Sequence, residues 1–438
     1  MHPREGWQPD GAHRLSGLFE PARSGRQSER QSARDLSRRQ ALRRGLAAAL
    51  LAGGGGAVLD ACAPYLVGPN NVPLPRPSHP VKWPTTGRKT IPSGLPIEPG
   101  ATLQVFNWVA YINQAVVNDF AKKYKCKVEV TTFNTMNEAL AKLRSGLKFD
   151  VFMGVTVDVL GQLIEPGLIQ PLNHSYIPNI TQTWPDFRNP FYDQGWQYTV
   201  PYTIYTTGIA WRKDYVHENP YAMANPWKQM FFQPKYRGKI AILDDYREGI
   251  SLGLLMNGIY DLNTGDRSQI SLSRNTLLAL ANAVDMQIDN NDYSDVPSGQ
   301  TWIHHAWSGD MAGAPSYMPK GVNVDVIGYW FPRNGKGPIA NDTNTVLTAS
   351  SSPVLAHTFV NYLMDEQVAL NNISWNGYMQ PISTITPELL VQQQILPPSL
   401  MSTAVVPSDF RNGLGELQLP VDADALWQQA WLVVSNGI

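Results

Sequence analysis

Cysteine is almost absent from this 438-residue chain, which holds only Cys62 and Cys126, so its fold does not rest on a disulfide framework. Charge is also sparse, at 16% of residues. Of 35 basic and 36 acidic groups, 10 arginines, no lysine and 6 acids fall in residues 1–62, leaving 25 basic against 30 acidic groups beyond them and a formal charge near −5. A surface of that sign does not favour nucleic acid. It is compatible with cationic ligands, although net charge speaks to solubility and steering rather than to a site. The apolar run Gly45–Leu59 is too short to span ~30 Å of hydrocarbon, and its four consecutive glycines, Gly53 to Gly56, weaken it as a helix. No phosphate-cradling loop is present, because Gly335-Lys336-Gly337 lacks both the spacing and the Ser/Thr of that motif. His304-His305 has no accompanying ligand set, and neighbours on a strand point to opposite faces, which excludes one ion shared between them. Gly249-Ile250-Ser251-Leu252-Gly253 matches G-x-S-x-G, yet polar-rich residues separate it from the strand before it, which is the wrong setting for a nucleophile elbow. No internal repeat is found.

What is present starts with Ser37-Arg38-Arg39-Gln40, the glycine-laden run Leu46–Leu59, and Leu59-Asp60-Ala61-Cys62. A paired arginine, a short apolar stretch and a small residue before a cut are marks of an export signal. The arginine pair resembles the twin-arginine motif, with Ala41 where a bulky residue is usual, and the four residues ending in Cys62 resemble a bacterial lipobox, with Asp60 where a small neutral residue is usual. That resemblance implies a cleaved signal over 1–62, lipidation of Cys62, and work outside the cytoplasm on a membrane anchor. Cys126 is then left without a partner and is expected as a buried strand thiol. Prolines 73, 75, 77 and 80 make 63–100 read as an extended tether that lifts the domain off the membrane.

Past Gly100 the pattern alternates. Thr102–Trp108, Lys127–Phe133, Phe149–Met153, Lys239–Leu243 and Thr301–Ala306 read as strands, and Asn113–Tyr124, Asn137–Ser145, Gly249–Tyr260, Arg274–Ile288 and Val354–Leu370 as helices. This βαβ succession predicts an α/β fold, and the 376 residues after Cys62 suffice for two lobes joined by strands that run between them.

Several landmarks recur in a fixed order: Phe106-Asn107-Trp108 with Tyr111, Val200-Pro201-Tyr202, Tyr236-Arg237-Gly238, Asp244-Asp245-Tyr246-Arg247-Glu248, Trp307-Ser308-Gly309, Asp342, and Gly377-Tyr378. In that order and spacing, from about Leu103 to Trp431, the chain resembles the periplasmic polyamine-binding proteins of ABC importers, the spermidine/putrescine substrate-binding family. The resemblance implies a type II periplasmic-binding-protein fold, with a mixed sheet flanked by helices in each lobe and the ligand cleft between them. Lobe 1 is expected over 101–205 and 343–384, and lobe 2 over 206–342 and 385–438. It further implies Trp108 and Tyr111 as aromatic walls, Asp245 and Glu248 as carboxylates gripping an ammonium, Trp307 as a stacking indole, Asp342 as a second amine-binding carboxylate, Tyr378 as another wall and Gln418 as a terminal polar contact. The loop Gly154-Val155-Thr156-Val157 lacks the family's serine and tyrosine, and Ala340 stands where an indole is usual, so less aromatic wall is expected than in spermidine receptors.

The chemistry is consistent on its own terms. A linear diamine or triamine needs carboxylates at fixed positions and aromatic faces between them. An ammonium over an indole gains about 0.5–2 kcal/mol and a charge-assisted bond to a carboxylate about 1.5–3 kcal/mol, so the carboxylates dominate affinity. Each of these residues also has a structural reading: Asp245 with Glu248 forms a helix capping box, and Trp108, Trp307 and Tyr378 suit a core or a turn. The expected protein is a monomeric receptor without cofactor, metal or catalysis, which closes on a polyamine and hands it to a membrane permease driven by an ATPase. A sugar, a compatible solute or an amino acid in the same fold is the alternative ligand; a secreted hydrolase acting through Ser251 and an adhesion lipoprotein are alternatives of other classes.

Overall fold

The computed structural model describes residues 72–437; the expected signal, the lipidation site Cys62 and the start of the tether lie outside the described residues. Ten strands form one continuous ladder: β1 (Thr102–Trp108), β2 (Lys127–Phe133), β3 (Val151–Thr156), β4 (Val200–Arg212), β5 (Ile240–Leu243), β6 (Gln287–Asp289), β7 (Ile303–Trp307), β8 (Ile327–Trp330), β9 (Pro338–Val346) and β10 (Leu414–Gly415). Their order is β2-β1-β3-β9-β4-β7-β5-β6, with β8 paired to β4 and β10 to β9. The outer strands are parallel in register, β1 with β2 and β3, and β5 with β6 and β7, as crossover helices demand. Where the two halves meet, β9 runs antiparallel to β3 and β4, and β4 antiparallel to β7 and β8, while the short β10 joins β9 in parallel.

Strand β4 carries the architecture. All 13 of its residues are buried, the mark of a strand covered on both faces. From Val200 to Thr206 it pairs with β9, and from Thr207 onward it pairs with β7 and then β8. One strand therefore belongs to two sheets and changes partner between Thr206 and Thr207. Separate apolar cores lie on either side. One gathers Ile209, Trp227, Ile240, Leu255, Leu277 and Trp427, and others gather Leu103, Val117, Phe120 and Phe359 or Phe106, Phe133, Phe152 and Leu163.

Helix boundaries follow capping chemistry. The helix Gln114–Tyr124 is capped by the Asn113 side chain and ends at Lys125 in the left-handed region. The expected helix Arg274–Ile288 is displaced: Asp266 caps a helix over Arg267–Val284, Asp285 ends it at φ 54°, and Gln287–Asp289 is strand β6. The expected Val354–Leu370 is two helices, Pro353–Leu363 and Glu366–Asn376, because the Asp365 side chain accepts the Gln367 and Val368 N–H groups and starts a new one.

Two further expectations are corrected. The described part of the tether, residues 72–100, is packed on the domain: Leu74, Trp83 and Ile91 are buried, and the Trp83 indole donates to the Tyr192 carbonyl at 2.7 Å. Apolar side chains set among the prolines give this segment something to bury. Cys126 is half-buried and precedes β2, a half-exposed edge strand, rather than lying within a buried one.

Candidate functional site

The partner exchange of β4 brings strand ends from both sheets together. Trp108 closes β1, Trp307 closes β7, Asp342 sits on β9 opposite Thr203, and Tyr205 is the second residue before the exchange point. Such an opening beyond strand ends is where α/β sheets hold ligands. A cleft of about 750 Å³, part of it open to solvent, is lined here by Trp108, Tyr111, Tyr205, Trp307, Asp342 and Tyr378, with Asp310 and Tyr293. Five of the eight expected positions thus converge. Among the described residues, no lysine or arginine lines this cleft.

Asp342 is its buried acid. Its Oδ2 accepts the Tyr111 hydroxyl at 2.7 Å, and its Oδ1 the Tyr205 hydroxyl at 3.3 Å. Burial raises its pKa to about 7, and the two tyrosine hydroxyls offset only part of that. Tyr378 meets Tyr111 and Tyr205 edge-on, at centroid distances of 4.8 and 5.6 Å, an arrangement favoured by the ring quadrupoles. Backbone glycines make room: a Cβ on Gly154, whose φ is +68°, would lie 2.4 Å from the Trp108 ring and 2.9 Å from Tyr111. The Trp108 indole N–H is already committed to the Gly154 carbonyl at 2.7 Å, leaving its face for contact.

Asp245 and Glu248 line a second chamber, of about 1460 Å³ with its open part, and Trp108 and Trp307 border both spaces. Asp245 caps the helix Tyr246–Met256, accepting the N–H groups of Arg247 and Glu248 at 2.7 and 3.3 Å through one oxygen. Its pKa is raised by burial. The capping box is only half made. Glu248 turns away from the helix start, and its Oε1 accepts the Trp307 indole at 2.7 Å and the Thr207 hydroxyl at 2.8 Å, while its buried Oε2 has no hydrogen-bond partner. Burial first, and then the charge of Glu416, holds the Glu248 pKa well above the usual range. The two chambers share one field: the Tyr205 hydroxyl is raised by burial and then by Asp342, Glu248, Glu416 and Asp158 in that order.

Gln418 lines neither space. Its carboxamide packs over Gly161, 2.8 Å from where a Cβ would stand, and its backbone carbonyl accepts from the Arg76 guanidinium. Glu416, two residues earlier, is the side chain that reaches the second chamber. The sequence reading also missed Asp310 and its neighbour Asp292. The two carboxyls are near enough to compete for a proton: burial lifts Asp310 to about 6, and burial plus the charge of Asp310 lifts Asp292 well above the normal range. Asp310 directly follows the quoted landmark Trp307-Ser308-Gly309, so a reading one residue longer would have found it.

The enzyme readings find no support in the geometry. Ser251 lies buried inside its helix with its hydroxyl on Glu416 Oε1 at 3.1 Å. His304 contacts Asp289, while His305 is buried with both ring nitrogens unpartnered and its pKa lowered by burial to about 3.

A family model described as bacterial extracellular solute-binding protein matches residues 115–392. A spermidine/putrescine-binding periplasmic protein of Haemophilus influenzae is 26% identical over 300 residues, covering 67% of this chain and 78% of its own. A putrescine/cadaverine-binding protein of Pseudomonas aeruginosa is 23% identical, covering 70% and 87%. Among solved structures, a putative spermidine/putrescine ABC transporter protein from Listeria monocytogenes aligns over 76% of this chain and 98% of its own with a TM-score of 0.66 and 21% identity, a likeness of fold.

Proposed function

The chain belongs to the bacterial extracellular solute-binding proteins, and from that membership we propose that it captures a linear organic polyamine outside the cytoplasm and delivers it to an ABC permease. Its fold is the two-lobed type II fold of periplasmic binding proteins, and its role in transport is not enzymatic. The observation that carries the amine is Asp342: a buried carboxyl, ringed by Tyr111, Tyr205, Tyr378 and two indoles, in a cleft whose lining offers acids and no cation. A buried acid without a basic partner keeps its proton, and an ammonium is the ligand that replaces it. The same lining disfavours an amino acid, whose carboxylate would need a positive or strongly donating partner. The spermidine, putrescine and cadaverine in the names of the related proteins agree with this reading.

In the proposed mode Asp342 and Asp310 hold one ammonium, Asp245 and Glu248 lie toward the other end, and Trp108, Tyr111, Trp307 and Tyr378 flank the methylenes. Closure joins lobe 1 (101–205, 343–384) to lobe 2 (206–342, 385–438), driven by contacts the ligand makes only in the closed form. The lipobox-like residues before Cys62 support a membrane anchor. The test is a thermal-shift screen, since ligand bound only to the native state must raise its melting temperature. Putrescine or spermidine should raise it by several degrees at millimolar concentration while glucose, maltose, betaine and glutamate do not. A shift with a sugar alone would replace the amine reading by the sugar one.

A further inference from the structure

Residues two apart on a strand share a face, and residues directly opposite across an antiparallel pair share it too. On β4 this sets Thr203, Tyr205 and Thr207 in a row, about 7 Å from one to the next, with Asp342 opposite Thr203, Ala340 opposite Tyr205 and Trp307 opposite Thr207. The ends of the row are polar. The Thr203 hydroxyl meets that of Tyr111, which donates to Asp342, and the Thr207 hydroxyl donates to Glu248 Oε1. Its middle is a single ring: Tyr205 is 8% exposed and lines the cleft, and the side chain opposite it is only a methyl group.

The polar tips of the aromatic lining are already spent. The Trp108 indole donates to the Gly154 carbonyl and that of Trp307 to Glu248, each at 2.7 Å, the Tyr111 and Tyr205 hydroxyls both donate to Asp342, and the Tyr378 hydroxyl donates to Asp310. Asn290 is tied to the backbone of Asp244, and the other polar lining residues, Asn134, Asn291 and Tyr293, are partly or fully exposed and stay hydrated. Between Asp342 and Trp307, among the described residues, the cleft thus presents carbon and leaves no buried donor for a ligand oxygen.

We propose that Tyr205 is a specificity-determining residue, the apolar floor through which this cleft selects an amine whose nitrogens are separated by an uninterrupted run of methylenes. A diamine supplies that run, and so does one segment of a longer amine. An oxygen within the run would lose its water against the Tyr205 ring and find no donor in exchange. The assignment rests on the amine reading of the cleft and adds the spacer to it.

The test is calorimetry on the full chain at pH 7.5, comparing cadaverine with bis(2-aminoethyl) ether, the same chain with an ether oxygen in place of the middle methylene, so that length and charge spacing are held constant. Wild type should bind cadaverine at least tenfold more tightly, the cost of burying one unpaired oxygen. Tyr205→Phe keeps the ring and changes Asp342 alike for both ligands, so the ratio should stay within threefold of wild type. Tyr205→Ala lets water reach the floor, and the ratio should fall below threefold. A ratio that survives Tyr205→Ala, or one abolished by Tyr205→Phe, would overturn the proposal, because the ring would not be its source. Equal binding of the two ligands by wild type would overturn it with no variant at all, which keeps the test decisive even where Tyr205→Ala does not fold. Wild type that binds neither ligand would overturn the amine reading along with it, a result distinct from binding both alike.

Discussion

Replacing Asp342 by Asn should make the empty protein more stable and the receptor worse, two effects of opposite sign. A carboxyl whose pKa is raised from 3.8 to about 7 keeps its proton when folded at pH values where the unfolded chain has lost it. Its contribution to stability is therefore complete below about 4 and disappears as pH rises through about 7. At ~1.4 kcal/mol per pH unit, that interval sets a ceiling of roughly 4 kcal/mol on the strain relieved at pH 8 by a neutral isostere. Part is lost again, because Tyr111 and Tyr205 donate to different oxygens of Asp342 and asparagine keeps an oxygen at only one of those places, at about 1–3 kcal/mol for the donor left over. A net gain near 2 kcal/mol, spread over an unfolding entropy of about 2 cal/mol/K for each of roughly 370 residues, raises Tm by ~2–3 °C. The gain should be present at pH 8 and absent at pH 4. Spermidine affinity should fall about 10- to 150-fold, the equivalent of a charge-assisted bond of about 1.5–3 kcal/mol. Scanning calorimetry at both pH values and titration calorimetry at pH 8 decide it. A lower Tm at pH 8 combined with an unchanged dissociation constant would refute the idea that Asp342 is a strained, ligand-facing acid.

Amine binding to the wild type should strengthen from pH 5 to about 7.5 and then level off, because Asp342 at about 7 and Asp310 at about 6 must release protons to meet an ammonium; calorimetry in buffers of different ionisation enthalpy should find proton release at pH 6 and almost none at pH 8.5, and a flat profile would count against it. Gly154→Ala drives a methyl into Trp108 and Tyr111 at a positive φ that alanine resists, so amine affinity should drop at least tenfold with far-ultraviolet circular dichroism unchanged; retained affinity would mean that these walls do not touch ligand. Cys62→Ser should move the protein from the membrane fraction to the soluble one, and a chain that stays with the membrane would show that the anchor is elsewhere.

How much was legible in the sequence depended on the kind of signal. Strands β1 and β2 match their expected bounds because each is a short β-branched and aromatic run bounded by turn residues. The helix near residue 274 was misplaced because the apolar positions run on from Leu277 through Val284 and Met286 to Ile288, and periodicity cannot mark the point where Asp285 turns left-handed. Trp108 and Trp307 could be found because they close β1 and β7, and Asp342 through its place in the order of landmarks, although it stands in the middle of β9. Tyr205 could not: every residue of β4 is buried, so no alternation distinguishes the face that meets the cleft. Glu416 and Gln418 lie in a stretch with little regular structure, where counting along the chain gives no register to tell which side chain reaches the second chamber.

Strand β4, shared without a break between two sheets, also constrains how the molecule can move. The parts it joins cannot swing like plates on a pin, because each would have to drag the same ribbon of hydrogen bonds with it. Any opening is a twist distributed along β4 and its companion β9, with a restoring torque that grows with the angle.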